Sequence, residues 1–295
     1  SNRAFDGVKG GMPNAYPIDA FEGAWVLYNL ASAGFKLEYA FPQQLLQKLY
    51  SWLQQSLTSQ GASISRFIGI PTDSDDTGML LAALNKAGVK VPVDSILHFE
   101  GSNHFSCFEK ERGPSMSANA HVLAALLSLP KSDRKHLATS ITKVVNFLYS
   151  IRNERGFWQD KWHLSPFYAT ASAVMALVDH EEISVRNKLQ PTIKWVLQTQ
   201  SSTDGGWGYG DCSTLEETAY ALQILQAVCD LIEQPDYLAY KRAIHRGIKY
   251  LWQHLDEYYP EYGAWLPKLW RGKELYTPSR VVFSAVIAVL NQFNK

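Results

Sequence analysis

Gln200-Ser201-Ser202-Thr203-Asp204-Gly205-Gly206-Trp207 is the stretch on which the fold turns. A helical pattern ends there in a polar run and is followed by Gly-x-Trp. The same arrangement occurs at Asn153 to Gly156-Phe157-Trp158, and again at Gln253 to Gly263-Ala264-Trp265. The three tryptophans are 49 and 58 residues apart, about the length of one helical hairpin with its loops. Repeated helix pairs either stack into an open solenoid or close into a ring. The spacing is irregular and the signals are few, which favours the ring: an all-α, two-layer α/α barrel.

Outward from that stretch the pattern is helical almost throughout. The spacing predicts helices near 19–33, 42–57, 76–87, 117–128, 133–151, 168–179, 184–200, 215–232, 237–256 and 278–292. Leu137, Ile141, Val144 and Leu148 recur at helical spacing, as do Leu222, Leu225, Cys229 and Ile232. Pro42 stands at a helix start, and Gly34 and Gly61 stand just past helix ends. No β-hairpin signal stands out.

The 295 residues allow one large domain with a substantial core. Basic and acidic residues balance at 28 each, which gives no broad electrostatic footprint for nucleic acid. Cys107, Cys212 and Cys229 are too far apart for a zinc site or a disulfide framework. Their pattern fits a reducing, cytoplasmic setting. No apolar run approaches the ~18 residues that span a bilayer. The opening Ser1-Asn2-Arg3 lacks Met, so residues 1–15 are expected to be a tag remnant with a loop leading into the domain, or the end of a preceding domain. Residues 16–295 are expected to form the barrel.

Chemistry concentrates in Pro71-Thr72-Asp73-Ser74-Asp75-Asp76-Thr77-Gly78-Met79-Leu80. Three carboxylates within four residues at the start of an apolar helix serve as ordinary caps for free N–H groups and the helix dipole. A calcium loop starting at Asp73 would need Glu at position 84, which is Leu84. A metal-binding Asp-Asp-x-x-Asp is absent, because Met79 stands at its last position. The other reading is a Brønsted acid. Packed carboxylates cannot all ionise, so one keeps a proton at neutral pH. Asp75, the central residue, is best placed to donate it, with Asp73 and Asp76 setting its protonation.

Asp73-Ser74-Asp75-Asp76-Thr77 resembles the D-x-D-D-T motif of class II terpene cyclases, which include copalyl diphosphate synthases and squalene–hopene cyclases. Gln200 to Trp207 is similar to their Gln-Trp repeat. Gly10-Gly11-Met12-Pro13-Asn14-Ala15-Tyr16-Pro17-Ile18-Asp19-Ala20-Phe21-Glu22 looks like the G-G-V-P-N-V-Y-P-V-D-L-F-E stretch of copalyl-type diterpene cyclases. Bacterial and fungal members are suggested by segments 160–168, 216–223 and 273–278. The resemblance runs from residue 10 to 290 in consistent order.

That resemblance implies the α/α barrel called the β domain, with Asp75 as general acid. It places Asn14 where a residue holds the water that removes the last proton, and Trp25 at a cavity aromatic. Ser117 and His121 align with positions that support the acid's carboxylate, and their i, i+4 spacing puts both on one helix face. Relatives carry a further helical domain, γ, whose acidic motif helps bind Mg²⁺ and the diphosphate. No such motif occurs here, so Mg²⁺ would find its ligands in a γ domain of the same polypeptide. Low activity is expected without it.

The residues themselves leave alternatives open. His121 is either a hydrogen-bonded core histidine or a partner of the acid. His163 reads as structural. Asn119 faces either a cavity or the helix surface. Most of the 9 Trp, 15 Tyr and 13 Phe must fill the core. A cation-guiding cavity would recruit some, and Trp25 and Tyr168 are the candidates. Lys161, Lys273 and Arg280 are either diphosphate partners or plain surface charge. The function expected from the resemblance is cyclisation of geranylgeranyl diphosphate to a copalyl-type diphosphate. A farnesyl substrate giving a drimenyl-type product, a triterpene cyclase and a non-enzymatic prenyl-binding toroid are the competing readings.

Overall fold

The inner and outer helices of this chain differ in composition before they differ in position. Some carry apolar residues all round, as in Ala-Asn-Ala-His-Val-Leu-Ala-Ala-Leu-Leu at 118–127; others carry one apolar stripe. The computed structural model describes residues 18–65, 70–258, 266–272 and 275–293. Twelve α-helices are seen among them: α1 (Asp19–Ser32), α2 (Leu37–Ala40), α3 (Gln43–Ser56), α4 (Ser74–Lys86), α5 (Met116–Ser128), α6 (Ala138–Ser150), α7 (Pro166–Leu177), α8 (Ile183–Asn187), α9 (Gln190–Gln198), α10 (Leu215–Ala227), α11 (Tyr237–Tyr258) and α12 (Ser279–Phe293).

The all-round apolar helices are the inner ring. α1 lies beside α4, α4 beside α5, α5 beside α7, α7 beside α10, α10 beside α12, and α12 returns to α1. The ring closes, as the irregular repeat spacing predicts, and an open solenoid is excluded. The striped helices wrap it: α3 rests on α1 and α4, α6 on α5, α9 on α10, and α11 on α9, α10 and α12.

The repeat unit has a physical basis. Trp158 and Trp207 are fully buried. Each donates its indole N–H to a carbonyl near the end of the preceding outer helix: Trp158 to Leu148 at 2.7 Å and Trp207 to Val196 at 2.9 Å. Each donates its backbone N–H to a threonine on the next inner helix, Thr170 at 3.0 Å and Thr218 at 2.9 Å. The chain reaches these positions through Gly156 and Gly205, at φ +97° and +83°, a region that favours glycine. Burying one such indole removes some 150–250 Å² from water, about 4–6 kcal/mol of gross hydrophobic gain. The same device recurs without a tryptophan at Gly61-Ala62, where the Ala62 N–H donates to Thr77 Oγ1 at 2.8 Å. The third Gly-x-Trp, ending at Trp265, lies outside the described residues.

Several boundaries differ from the expected ones. The span 184–200 is two helices, because Pro191 sits in the first turn of α9 and α8 stops at Asn187. The span 215–232 ends as an α-helix at Ala227 and continues as a 3₁₀ turn, Cys229–Leu231. A 3₁₀ turn, Lys135–Leu137, precedes α6. α4 starts two residues earlier than expected, which makes Asp73 its N-cap. Two short antiparallel strands, β1 (Trp270–Arg271) and β2 (Leu275–Tyr276), pair where no strand was expected.

Candidate active site

Four inner helices begin on capping residues. Asp73 caps α4, Ser115 caps α5, Ser165 caps α7 and Thr214 caps α10, each side chain accepting a backbone N–H from the first turn. The inner helices therefore start at one end of the barrel, and their positive dipole ends gather there. Their C-terminal ends meet at the other, where Lys86 pairs with Asp179 beside Tyr28.

The acidic motif lies at the N-terminal end. Asp75 is the second residue of α4, and its Oδ1 is 2.7 Å from Nδ1 of His121 on α5. The Asp75 side chain is 17% exposed, against 3% for His121. It is neither on the outer wall nor sealed in the core. Asp73 Oδ1 accepts the Asp76 N–H at 2.7 Å, and both residues are buried. Burial pushes Asp73 up to about 7, a rise supported by the charge of Asp75 and opposed by hydrogen bonds from Asp76 and the backbone. Burial raises Asp76 well above the usual carboxylate range, and the adjacent Asp73 and Asp75 add to it. Both carboxyls therefore hold a proton more readily than an exposed carboxylate does. The helices can approach this closely because of Gly78, one turn beyond the acid. A Cβ there would lie 2.8 Å from the His121 carbonyl carbon.

Aromatic rings cover the site. Trp25 on α1 meets His121 edge-on at 5.1 Å and Tyr168 at 5.8 Å. Trp270 lies at 4.6 Å from Tyr168, 6.3 Å from Trp25 and 5.0 Å from His163. Trp25 Nε1, Asp76 Oδ1, His121 Nε2, Glu216 Oε2 and Tyr220 Oη are buried with no hydrogen bond of normal geometry among the described residues. Each such atom costs ~1–3 kcal/mol. Five of the ten such atoms among the described residues lie in this one cluster, which marks a place built for something other than stability alone.

Comparison with known proteins accords with this geometry. The family described as Squalene-hopene cyclase C-terminal domain matches residues 112–274. The chain belongs to that family. The chain is 37% identical over 275 residues to an ent-copalyl diphosphate synthase of Streptomyces sp. (strain KO-3988), covering 92% of this chain and 50% of the relative. The solved structure of ent-copalyl diphosphate synthase from Streptomyces platensis superposes with a TM-score of 0.84 at 35% identity, covering 97% of this chain and 52% of that one. The type II terpene cyclase MstE from Scytonema shares the fold, with a TM-score of 0.70 at 14% identity over 96% of this chain and 91% of that chain. The chain spans about half the length of the curated relatives it matches.

Asp75, His121, Trp25 and Tyr168 come together, and several other expected residues are engaged elsewhere. Ser117 does not reach the acid: its Oγ donates to Asp160 Oδ2 at 2.9 Å, because Asp160 folds over the start of α5 and also accepts the Met116 and Ser117 N–H groups. Asn119 spends both amide donors on the backbone, at Phe105 O and Ser115 O, and accepts the Phe105 N–H. It holds the 105 loop and has no donor left for a ligand. Lys161 is tied to Glu111 and to the Gly113 carbonyl. Arg280 pairs with Glu22 at 2.7 Å, with its side chain 75% exposed. Asn14 and Lys273 lie outside the described residues.

His163, read as structural, is wholly buried and stacked on Tyr168 at 4.7 Å. Trp270, Glu216 and Tyr220 belong to the same cluster and were missed. Glu-Glu-Thr-Ala-Tyr at 216–220 gave a signal, since a carboxylate at the head of an apolar inner helix repeats the pattern of the acidic motif. Trp270 gave none, because its loop has no periodicity.

No group of three or more His, Cys, Asp or Glu side chains among the described residues is placed to hold a metal ion. The carboxylates at the acidic motif are not free to gather round a cation: Asp73 caps a helix, Asp75 is engaged by His121, and burial disfavours the ionised form of Asp76. These residues do not fit a resident Mg²⁺. No helix among the described residues is long and apolar enough to cross a membrane.

Proposed function

We propose that this domain carries the acid of a class II diterpene cyclase, which starts ring closure of geranylgeranyl diphosphate by protonating its terminal double bond. The observation that carries the reading is the Asp75–His121 pair, 2.7 Å apart, set against Trp25 at the N-terminal end of a closed barrel. An alkene is a feeble base, so its proton donor needs a conjugate base that is stabilised at once. With the His121 Nδ1–H donating to Oδ1, the other oxygen of Asp75 is left to hold and transfer a proton. The alkene takes that proton at its less substituted carbon and becomes a tertiary cation. Two further double bonds attack in turn, each closing a ring and passing the charge onward. Loss of a proton restores an alkene while the diphosphate stays attached, giving a copalyl-type product. The resemblance assigns the last deprotonation to a water held by Asn14. Ring faces of Trp25 and Tyr168 stabilise the cation without competing as bases.

A further helical domain of the same polypeptide would bind the diphosphate with Mg²⁺ and close the site. The half-length match to the relatives supports this reading. The test uses the full-length protein with Mg²⁺ and, separately, geranylgeranyl and farnesyl diphosphate, with products identified by mass spectrometry. A bicyclic C20 diphosphate is expected from the wild type and none from Asp75→Asn. Product formation by Asp75→Asn sinks the acid assignment, and conversion of the farnesyl substrate alone moves the reading to a drimenyl-type cyclase.

A further inference from the structure

The proposed chemistry leaves one carboxylate at this end of the barrel unused. Thr214 caps α10, and Glu217 braces the cap: the Glu217 N–H donates to Thr214 Oγ1 at 3.0 Å, Thr214 Oγ1 donates to Glu217 Oε2 at 2.9 Å, and Glu217 Oε1 accepts the Tyr209 N–H at 2.9 Å. Glu216, between them, is therefore not needed for the cap, yet it is only 1% exposed. Its Oε1 accepts the Trp270 indole N–H at 2.6 Å and lies 3.2 Å from His163 Nε2. Its Oε2 has no hydrogen bond of normal geometry among the described residues. Burial holds the proton on the Tyr220 hydroxyl one turn on, and the Glu216 charge and hydrogen bonding to the Glu216 carboxylate add to this.

The position repeats that of Asp75. Asp73, Asp75 and Asp76 are the N-cap, second and third residues at the head of α4; Thr214, Glu216 and Glu217 are the same at the head of α10. Thr77 and Thr218 follow each set, and each accepts the N–H of a repeat turn. In the six-membered ring α4 and α10 are three steps apart in either direction, so they stand opposite each other. Each carboxylate has its own histidine: Asp75 with His121 and Glu216 with His163. A line of contacts joins the two pairs, from His121 to Trp25, to Trp270, to Glu216. Burial raises the Tyr276 hydroxyl, and the nearby carboxyl groups of Asp76, Asp75, Glu22 and Glu216 add to the rise.

We propose that Glu216 is the fixed counter-charge of the site, a specificity-determining residue that holds Trp270 in place and stabilises the positive charge as it moves along the isoprenoid chain away from Asp75. A glutamine would accept the Trp270 N–H equally well, so hydrogen bonding alone does not require a carboxylate there. A buried carboxylate is costly in a ring-lined site unless a positive charge arrives to meet it. The inference rests on the cationic reaction proposed above, and its test separates the two.

A tertiary ammonium bearing an isoprenoid tail mimics the cation, and its carbon analogue is the neutral control. Binding of both to the full-length protein is measured by calorimetry in the wild type, Glu216→Gln and Asp75→Asn. Glu216→Gln is expected to weaken the ammonium by ~10-fold, as for a lost buried charge contact, with the neutral analogue unchanged. Its kcat is expected to fall with KM held, and its products to shift toward singly cyclised diphosphates. Should Glu216→Gln fail to fold, Glu216→Asp, which retains the charge, is expected to keep the preference for the ammonium. Equal affinity of wild type and Glu216→Gln for the ammonium overturns the proposal, as does an unchanged product mixture. Ammonium binding needs no proton transfer, so it is read equally in Asp75→Asn. Turnover in that variant bears on the acid assignment alone.

Discussion

Burial makes Asp73 and Asp76 hold their protons to higher pH in the folded protein, and that has a consequence for stability as well as for catalysis. The unfolded chain releases these protons above the ordinary carboxylate pKa of about 4. From there up through the value of about 7 for Asp73 and the raised one of Asp76, the native state binds more protons than the unfolded one. Stability from this pair is thus fully present at low pH and declines as pH rises through that window. Asp76→Asn should flatten the decline, because its amide replaces the proton toward Asp73. The variant should gain about 1–3 kcal/mol over the wild type at pH 7.5 relative to pH 4.5, at ~1.4 kcal/mol per pKa unit, read from urea melts at both values. Asp75→Asn, by contrast, should keep its melting temperature within a few degrees and lose all product, since Asp75 is partly exposed and caps no helix. The candidate acid and its flanking carboxylates were legible in the sequence, because a short string carries them. Ser117 and Asn119 were not: both lie on the correct helix, but Asp160 and the Phe105 backbone take up their polar atoms.

At the scale of elements the decisive contact is that of α4 with α5. Gly78 lets the two backbones touch beside His121, and this brings the histidine ring within reach of Asp75 one turn earlier. Gly78→Ala would drive a methyl group to 2.8 Å from the His121 carbonyl carbon, and the helices must part. A loss of about 1–3 kcal/mol is expected from overpacking, with turnover falling further than stability alone explains. Calorimetry of unfolding beside initial rates checks the pair. The Gly-x-Trp turns were legible as repeats because each needs a positive-φ glycine and a large buried ring. The Gly61-Ala62 turn was hidden, because it performs the same hydrogen bond to Thr77 with no tryptophan to announce it.

The whole molecule depends on closing the ring. Asn29 of α1 donates to Ser284 Oγ of α12 at 2.9 Å and accepts from Gln223 of α10, so one buried amide joins three inner helices at the seam. Asn29→Ala leaves the buried Gln223 amide without that acceptor and Ser284 without that donor, and should cost about 1–3 kcal/mol. In a closed ring this loss weakens every helix together, so far-ultraviolet dichroism and tryptophan fluorescence should still report one shared midpoint. Separate midpoints for the two signals would describe an open stack, in which neighbours melt independently.

The amino-acid sequence by itself determined that this is a helical repeat protein with a carboxylate-rich helix start, because glycine turns, caps and apolar periodicity are local properties of the chain. It could not report which distant helices become neighbours. Only the tertiary structure set α4 against α5 and opposite α10, gave the Asp75–His121 contact that the resemblance had implied its 2.7 Å geometry, and brought Trp270 to Glu216. Those pairings come from side-chain packing between elements 40 to 250 residues apart in order of magnitude, for which the local pattern carries no signal.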